Sequence, residues 1–194
     1  MTERLRQALP RTWLDPVVRG FARAGISPNV LTIIGLCVTT TAGVLAAEGY
    51  LLAAGIVSLL GGGFDALDGA LARATRQAST FGALLDSTLD RYGEAAVLLG
   101  MLVYGARAGQ MDVVVLAGLA LTGSFMVSYV RARAEGLGLD CEVGFLTRTE
   151  RVIAIGVGLM VGLVVPALAV VALLANVTAV QRLVYVRRIL EDRE

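Results

Sequence analysis

Two pairs of aspartates are the residues in this chain whose types and spacing could do chemistry. Asp65 and Asp68 are three residues apart, and Asp86 and Asp90 are four residues apart. Residues at these spacings share one face of an α-helix. The chain has no histidine, so any metal or acid–base chemistry must use carboxylates. Oxygen ligands without histidine or cysteine favour hard cations, and the sequence therefore predicts a site for Mg²⁺ or Mn²⁺.

The charge of the four aspartates predicts how many ions they hold. A short connection makes the two helices antiparallel neighbours, so that the carboxylates converge. Two carboxylates ~5 Å apart repel by roughly 3 kcal/mol at an effective dielectric of about 20, and four of them balance two divalent ions. Two such ions can clamp the attacking and leaving oxygens of a displacement at phosphorus. The alternative is that the aspartates pair with arginines at the helix ends, such as Arg73, Arg76 and Arg91.

Two glycines and one arginine beside the aspartates fit a substrate that carries phosphate. Gly69 and Gly82 leave room for a close approach of backbone or phosphate that a side chain would block. Arg73 lies one turn beyond Gly69, and its guanidinium could reach phosphate oxygens.

The composition places the chain in a membrane. Its residues are 56% hydrophobic and 17% charged, whereas soluble domains carry about 25% charge. Several apolar stretches reach the ~20 residues that a helix needs to cross a bilayer. We therefore expect an all-α integral membrane protein with a single domain over residues 1–194.

The hydrophobic pattern predicts six transmembrane helices preceded by an amphipathic interfacial arm. The arm covers residues 1–26, and its prolines predict two short helices, the second starting at Asp15–Pro16. The six-helix bundle covers residues 27–190. Its helices are expected at about 27–47, 51–73, 81–103, 113–133, 151–165 and 168–186.

The distribution of arginine orients this bundle. All 17 basic residues are arginine, and the connection that contains Arg107 is the arginine-poor side. The positive-inside rule then puts both termini and the aspartates on the cytoplasmic side of the cell membrane. At that depth the burial of carboxylates costs less, because water can reach them.

Arginines on the same side point to an anionic acceptor. Arg131, Arg148, Arg151 and Arg182 gather there, which favours a sugar or polyol phosphate over free serine or inositol. The alternative is that these arginines only set the topology and contact anionic lipids. Glu94, one turn beyond Asp90, is expected to pair with an arginine. Cys37 and Cys141 form no motif, and neither is assigned a role.

The aspartates belong to a longer pattern that resembles the signature of the CDP-alcohol phosphatidyltransferases. The pattern has eight fixed positions: Asp65, Asp68, Gly69, Ala72, Arg73, Gly82, Asp86 and Asp90. The resemblance implies an enzyme that moves a phosphatidyl group from a CDP-linked lipid to an alcohol, releases CMP and uses Mg²⁺ or Mn²⁺. Members are commonly homodimers that bind membrane lipids, and no nucleic-acid partner is expected.

The resemblance also assigns roles within the site. It implies that Asp65, Asp68 and Asp86 bind metal and that Asp90 is both a metal ligand and the general base. The CDP-lipid would contact the small residues and the arginine of the signature, together with two residues of the SPNVLT segment. These are Gly69, Ala72, Arg73, Gly82, Asn29 and Thr32.

Three further segments resemble the phosphatidylinositol-phosphate synthase branch of the family. SYVRARAE, FLTRTER and VQRL imply inositol phosphate as the acceptor, although the branch commonly has lysine at Arg131 and proline at Thr149. The residues expected to bind its phosphate are Ser128, Arg131, Arg148, Arg151 and Arg182. Glycerol 3-phosphate is the alternative acceptor. An ion or proton transporter with intramembrane carboxylates is a distant alternative, because the acids cluster on one side and no repeat is visible.

Overall fold

The described part of the chain is entirely helical. The computed structural model describes the backbone of residues 11–191 and the side chains of residues 16–191. Seven helices follow one another: α1 (Arg11–Arg23), α2 (Pro28–Ala47), α3 (Leu51–Ala74), α4 (Thr80–Arg107), α5 (Met111–Glu135), α6 (Arg148–Met160) and α7 (Val164–Glu191). The first ten residues of the predicted arm lie outside the described residues.

Helix α1 corrects the expected break at Pro16. Helix α1 spans Arg11–Arg23 in one piece and contains Pro16, although a proline inside a helix removes one hydrogen bond. Val18 is buried against Leu31 of α2 and Leu71 of α3, with Phe21 beside it. We attribute the continuous helix to these apolar contacts, which outweigh the lost hydrogen bond.

Four of the described helices are long and apolar enough to cross a membrane. They are α2, α3, α5 and α7. Helix α4 has 28 residues but carries several charged side chains along its length, Asp86, Asp90, Arg91, Glu94 and Arg107. Helix α6 has 13 residues, which corresponds to about 20 Å against a hydrocarbon thickness of about 30 Å. The described helices therefore indicate a membrane protein with four candidate spans and two further helices, α4 and α6, that composition or length sets apart.

The last two helices start earlier than the sequence suggests. Helix α6 begins at Arg148 because Thr147 and Glu150 form a capping box. Helix α7 begins at Val164 and includes Pro166, since proline is tolerated within the first helical turn. Between α6 and α7 the chain turns at Val161–Leu163, and both Val161 and Leu163 are exposed.

Small residues bring the helices close enough to fix their relative positions. A Cβ at Gly100 of α4 would collide with the carbonyl of Gly43 in α2. In the same way, Gly55 of α3 faces the backbone of Gly156 in α6. Close backbone approach at small residues is a common basis of helix packing in membranes. These contacts fix α2 against α4 and α3 against α6, in the halves of the helices away from the aspartates.

The segment between α5 and α6 is folded against α7. Leu139 and Cys141 are buried with Ala134, and Phe145 donates its backbone N–H to Thr178 Oγ1 of α7 at 3.2 Å. Burial raises the pKa of the Cys141 thiol, as expected for a core side chain. Because this segment is packed against α7, it fixes the position of the first residues of α6.

Candidate active site

Three aspartates from two helices meet in a cluster that fits a divalent cation. Asp65 and Asp68 of α3 and Asp86 of α4 each offer a carboxylate oxygen within 4.8 Å of the others. Asp68 is 5% exposed. Asp86 Oδ1 is buried and has no hydrogen-bond partner among the described residues. A buried carboxylate oxygen without a donor is costly, and a hard cation such as Mg²⁺ or Mn²⁺ would satisfy it.

The fourth aspartate joins the cluster through an arginine. Asp90 Oδ2 lies 2.5 Å from Arg148 Nη1, and the same nitrogen lies 3.0 Å from Asp65 Oδ2. Arg148 is the first residue of α6, so three helices contribute to the site. The sequence had assigned Arg148 to the acceptor phosphate, and its contact with two of the aspartates was not foreseen.

Thr32 adds a contact from a fourth helix. Its Oγ1 lies 2.8 Å from Asp68 Oδ2 and 3.1 Å from the carbonyl oxygen of Pro28. The hydroxyl has one proton, and the carboxylate is the closer and stronger acceptor. Thr32 was expected to approach the nucleotide. The structure places it against an aspartate of the cluster, where it can fix the orientation of that carboxylate.

The other residues expected to contact the nucleotide lie beside the cluster. A Cβ at Gly82 would meet Asn29 Oδ1 at 3.3 Å, and a Cβ at Gly69 would meet Arg73 Nη1 at 3.4 Å. Ser79 caps α4 by accepting the N–H of Gly82 at 3.0 Å. The partly buried Ala72 lies on α3 next to the exposed Arg73. The structure therefore brings Asn29 close to Gly82 and Arg73 close to Gly69.

A buried ion pair lies one turn behind the cluster. The carboxylate of Glu94 of α4 accepts hydrogen bonds from Arg151 Nε at 2.6 Å and from Arg151 Nη2 at 2.9 Å. Arg151 Nη1 donates to the carbonyl oxygen of Leu146 at 3.4 Å. The prediction that Glu94 pairs with an arginine is confirmed. The guanidinium that the sequence assigns to an acceptor phosphate is 1% exposed and engaged by protein acceptors.

The remaining residues of the expected acceptor pocket differ in exposure. Arg182 is 6% exposed and donates to the carbonyl oxygens of Val143 and Val127 at 2.8 and 2.7 Å. Arg131 is exposed and pairs with Glu135 at 2.8 Å. Ser128 is partly buried one turn before it. In residues 16–191, no ion pair connects Arg131 or Arg182 to the aspartates.

Comparison with known proteins gives one consistent family. The family model for CDP-alcohol phosphatidyltransferase matches residues 25–186. An archaetidylinositol phosphate synthase from Pyrococcus horikoshii is 41% identical, covering 92% of this chain and 93% of the relative. A phosphatidylinositol phosphate synthase from Mycobacterium tuberculosis is 39% identical, covering 74% of this chain and 67% of the relative.

Solved structures agree with these relatives. The crystal structure of the Mycobacterium tuberculosis phosphatidylinositol phosphate synthase with CDP-DAG bound superposes with a TM-score of 0.85 at 33% identity. The match covers 90% of this chain and 94% of that one. A second structure of the same synthase, in complex with manganese and citrate, gives a TM-score of 0.84 at 34% identity, covering 89% of this chain and 88% of that one.

Proposed function

The chain belongs to the CDP-alcohol phosphatidyltransferase family, and from that premise we propose that it transfers a lipid-phosphate group from a CDP-linked lipid to inositol phosphate. The second product is CMP. The convergence of Asp65, Asp68 and Asp86 within 4.8 Å is the observation that carries this proposal. The names of the relatives support inositol phosphate as the acceptor, because both archaeal and bacterial relatives are inositol phosphate synthases.

The proposed reaction is a single displacement at the phosphorus that carries the lipid. The acceptor hydroxyl oxygen forms a new bond to this phosphorus, the bond to the bridging oxygen of the diphosphate breaks, and CMP leaves. Asp90 takes the hydroxyl proton. Asp65, Asp68 and Asp86, with the second oxygen of Asp90, would hold the divalent cations, which supply Lewis-acid stabilisation of the diphosphate charge.

The nucleotide and the lipid are positioned by the helices that carry these aspartates. Gly69, Ala72 and Gly82 give the diphosphate access to the helix surface, and Arg73 is exposed and free to reach its oxygens. Asn29 lies beside Gly82 and extends the same surface toward the expected position of the cytosine of the CDP-lipid. Thr32 contributes through Asp68, whose carboxylate it orients.

We divide the proposed acceptor pocket according to exposure. Arg148 and Arg131 present guanidiniums that a phosphate could reach, with Ser128 beside Arg131. Arg151 and Arg182 are buried and hold the walls of the pocket. Arg151 donates to the carbonyl oxygen of Leu146 just before α6, and Arg182 donates to those of Val143, before α6, and Val127, within α5. The phosphate of the acceptor would compete for the guanidiniums of Arg131 and Arg148 with the carboxylates that they contact, Glu135 for Arg131 and Asp65 and Asp90 for Arg148.

The proposed arrangement in the membrane has six crossings. Helices α4 and α6 pack between the four candidate spans and complete an antiparallel bundle, which forms a single domain. The arginine-rich connections put both termini and the aspartates at the cytoplasmic face of the cell membrane. We also propose a homodimer, as the family resemblance implies.

The proposed function is tested by CMP release from the purified chain. We expect CMP from CDP-diacylglycerol or a CDP-linked ether lipid when Mg²⁺ or Mn²⁺ and inositol phosphate are present, and none after chelation. Glycerol 3-phosphate and free inositol are the competing acceptors. Preferential use of glycerol 3-phosphate would replace the acceptor assignment, and no CMP with any alcohol phosphate would refute the proposal.

A further inference from the structure

Arg148 holds two of the carboxylates that the reaction needs. Its Nη1 lies between Asp90 Oδ2, at 2.5 Å, and Asp65 Oδ2, at 3.0 Å. The guanidinium therefore covers the side of Asp90 that faces Asp65. A divalent cation shared by these two oxygens would need the same position. The two positive groups exclude each other by volume as well as by charge.

The side chain of Arg148 can leave this position without a movement of its helix. The guanidinium is attached to the first residue of α6, whose backbone is fixed by the capping box of Thr147 and Glu150. One turn later, the buried pair of Arg151 and Glu94 ties α6 to α4. Arg148 itself is 24% exposed at its side chain, and its Nε is buried without a partner in the described part of the chain.

A phosphate monoester is the ligand that would draw Arg148 away from the aspartates. Arginine binds phosphate oxygens with paired N–H donors, and the unpartnered Nε provides a second donor beside an Nη. Other charged groups near Arg148 are Asp68 of α3 and Asp86 and Arg91 of α4. Arg91 donates to the carbonyl oxygen of Ser87 and has no ion pair with the aspartates among the described residues.

We infer that Arg148 is a specificity-determining residue that couples the phosphate of the acceptor to the availability of Asp65 and Asp90. This inference rests on the proposed function. The phosphate of a phosphorylated alcohol binds the guanidinium of Arg148 and draws it away from Asp65 and Asp90. The two carboxylates are then free to bind the cation and to face the acceptor hydroxyl. An unphosphorylated alcohol offers no competing anion, so Arg148 keeps both carboxylates covered. The charge of the acceptor thereby controls the site before the chemical step.

The test measures Mn²⁺ binding to the purified full chain by the electron paramagnetic resonance signal of free Mn²⁺. We expect Arg148→Gln to bind Mn²⁺ at least about fivefold more tightly than the wild type, the lower end of typical coupling between sites. Inositol phosphate should tighten Mn²⁺ binding to the wild type by a similar factor. It should leave Arg148→Gln nearly unchanged, because the coupling is reciprocal and needs the arginine.

Arg91→Gln is the matched control, since it removes the same charge next to Asp90 without removing a contact to the aspartates. We expect its Mn²⁺ affinity to rise clearly less than that of Arg148→Gln, because its guanidinium does not occupy the position of the cation, and free inositol to have no effect on any variant. Arg148→Met provides a second variant if Arg148→Gln unfolds in detergent, and its Mn²⁺ affinity should rise equally.

Two results would overturn the inference. One is unchanged or weaker Mn²⁺ binding after loss of Arg148 in folded protein. The other is an equal effect of inositol phosphate on the wild type and on Arg148→Gln. Because the readout is Mn²⁺ affinity, a chain that makes no CMP with inositol phosphate would refute the proposed function and still leave this measurement decisive.

Discussion

At the scale of single residues, the site separates carboxylates that bind cations from groups that orient them. Asp65, Asp68 and Asp86 come together through the ends of α3 and α4. Thr32 and Arg148 reach the same carboxylates from α2 and α6. This division predicts which substitutions abolish the reaction and which only misplace the carboxylates.

Asp90→Asn should remove the proposed base while preserving the shape of the side chain. We expect kcat for CMP release to fall at least about 100-fold, the usual contribution of general base catalysis, with CDP-lipid binding retained. Initial rates and equilibrium binding of the CDP-lipid measure the two effects. Asp112→Asn, at an exposed acid in the first turn of α5, is the matched control. Turnover near that of the wild type would exclude Asp90 as the base.

Thr32→Val should weaken metal binding because Asp68 loses the hydroxyl that orients it. A loss of roughly tenfold in Mn²⁺ affinity is expected for such a supporting contact. Thr32→Ser keeps the hydroxyl and should bind Mn²⁺ like the wild type. Equal affinity of the valine and serine variants would show that the contact at 2.8 Å does not support the site.

Part of this site could be predicted from the sequence. Helical spacing places each pair of aspartates on one face, and the short connection between α3 and α4 forces the pairs together. The contact of Thr32 with Asp68 joins positions 36 residues apart, and it depends on how far α2 is shifted along α3. That shift is set by contacts such as the one between Gly61 of α3 and Thr39 of α2. The local sequence pattern does not reveal such contacts.

At the scale of elements, helix existence was predictable and helix ends were less so. The predicted helix ends were wrong at two prolines. Pro16 was expected to break the arm and Pro166 to precede the last helix, but both lie inside helices. Six apolar segments were expected, and each contains a helix in the structure. Only four of these qualify as candidate membrane spans by length and composition, since α4 carries several charged residues and α6 is short.

Gly100→Ala should destabilise the packing of α2 against α4. The added Cβ would overlap the carbonyl group of Gly43, and backbone atoms cannot move aside as a side chain can. We expect a loss of about 1–3 kcal/mol, as for overpacking, seen as a lower midpoint of thermal unfolding in detergent. Gly118→Ala on α5 is the control, because nothing lies within 4 Å of its Cβ. Similar midpoints for both variants would contradict the close approach.

Glu94→Ala should be strongly destabilising because it leaves the charge of Arg151 buried without its partner. The expected cost is about 3–5 kcal/mol, whereas replacing both residues with Glu94→Leu and Arg151→Met should restore most of it. Glu48→Ala breaks the exposed pair with Arg107 and should cost at most about 1 kcal/mol. Thermal unfolding of the four proteins gives the comparison. Equal losses at Glu94 and Glu48 would argue against a buried pair.

At the scale of the whole molecule, the arginines and the aspartates occupy the same end of the bundle. The aspartates lie where α3 ends and α4 begins, and α6 brings Arg148 to the same end. Arg107 lies at the opposite end, where it pairs with Glu48. The cytoplasmic face that we propose for the site rests on the positive-inside rule and is consistent with a water-soluble acceptor and with CMP as a product.

Labelling of single cysteines tests this orientation in a chain whose Cys37 and Cys141 are replaced by alanine. An impermeant maleimide added to intact cells should label Gln110→Cys, at the arginine-poor end. It should label Leu137→Cys, in the segment between α5 and α6, only after the membrane is permeabilised. Both positions are exposed, so accessibility within the protein does not decide the outcome. The opposite pattern of labelling would invert the proposed topology.

The short α6 also affects how the protein fits its bilayer. The turn at Val161–Leu163 is apolar and exposed, and it follows a helix only about 20 Å long. In the proposed topology, with the start of α6 held beside the aspartates, this turn would end well below the far headgroups of an average bilayer. Hydrophobic mismatch of this kind is relieved by local thinning, at a cost that grows with each ångström of thickness. The acyl chain length of the surrounding membrane would then determine the mismatch between α6 and the bilayer, independently of which lipid is the donor.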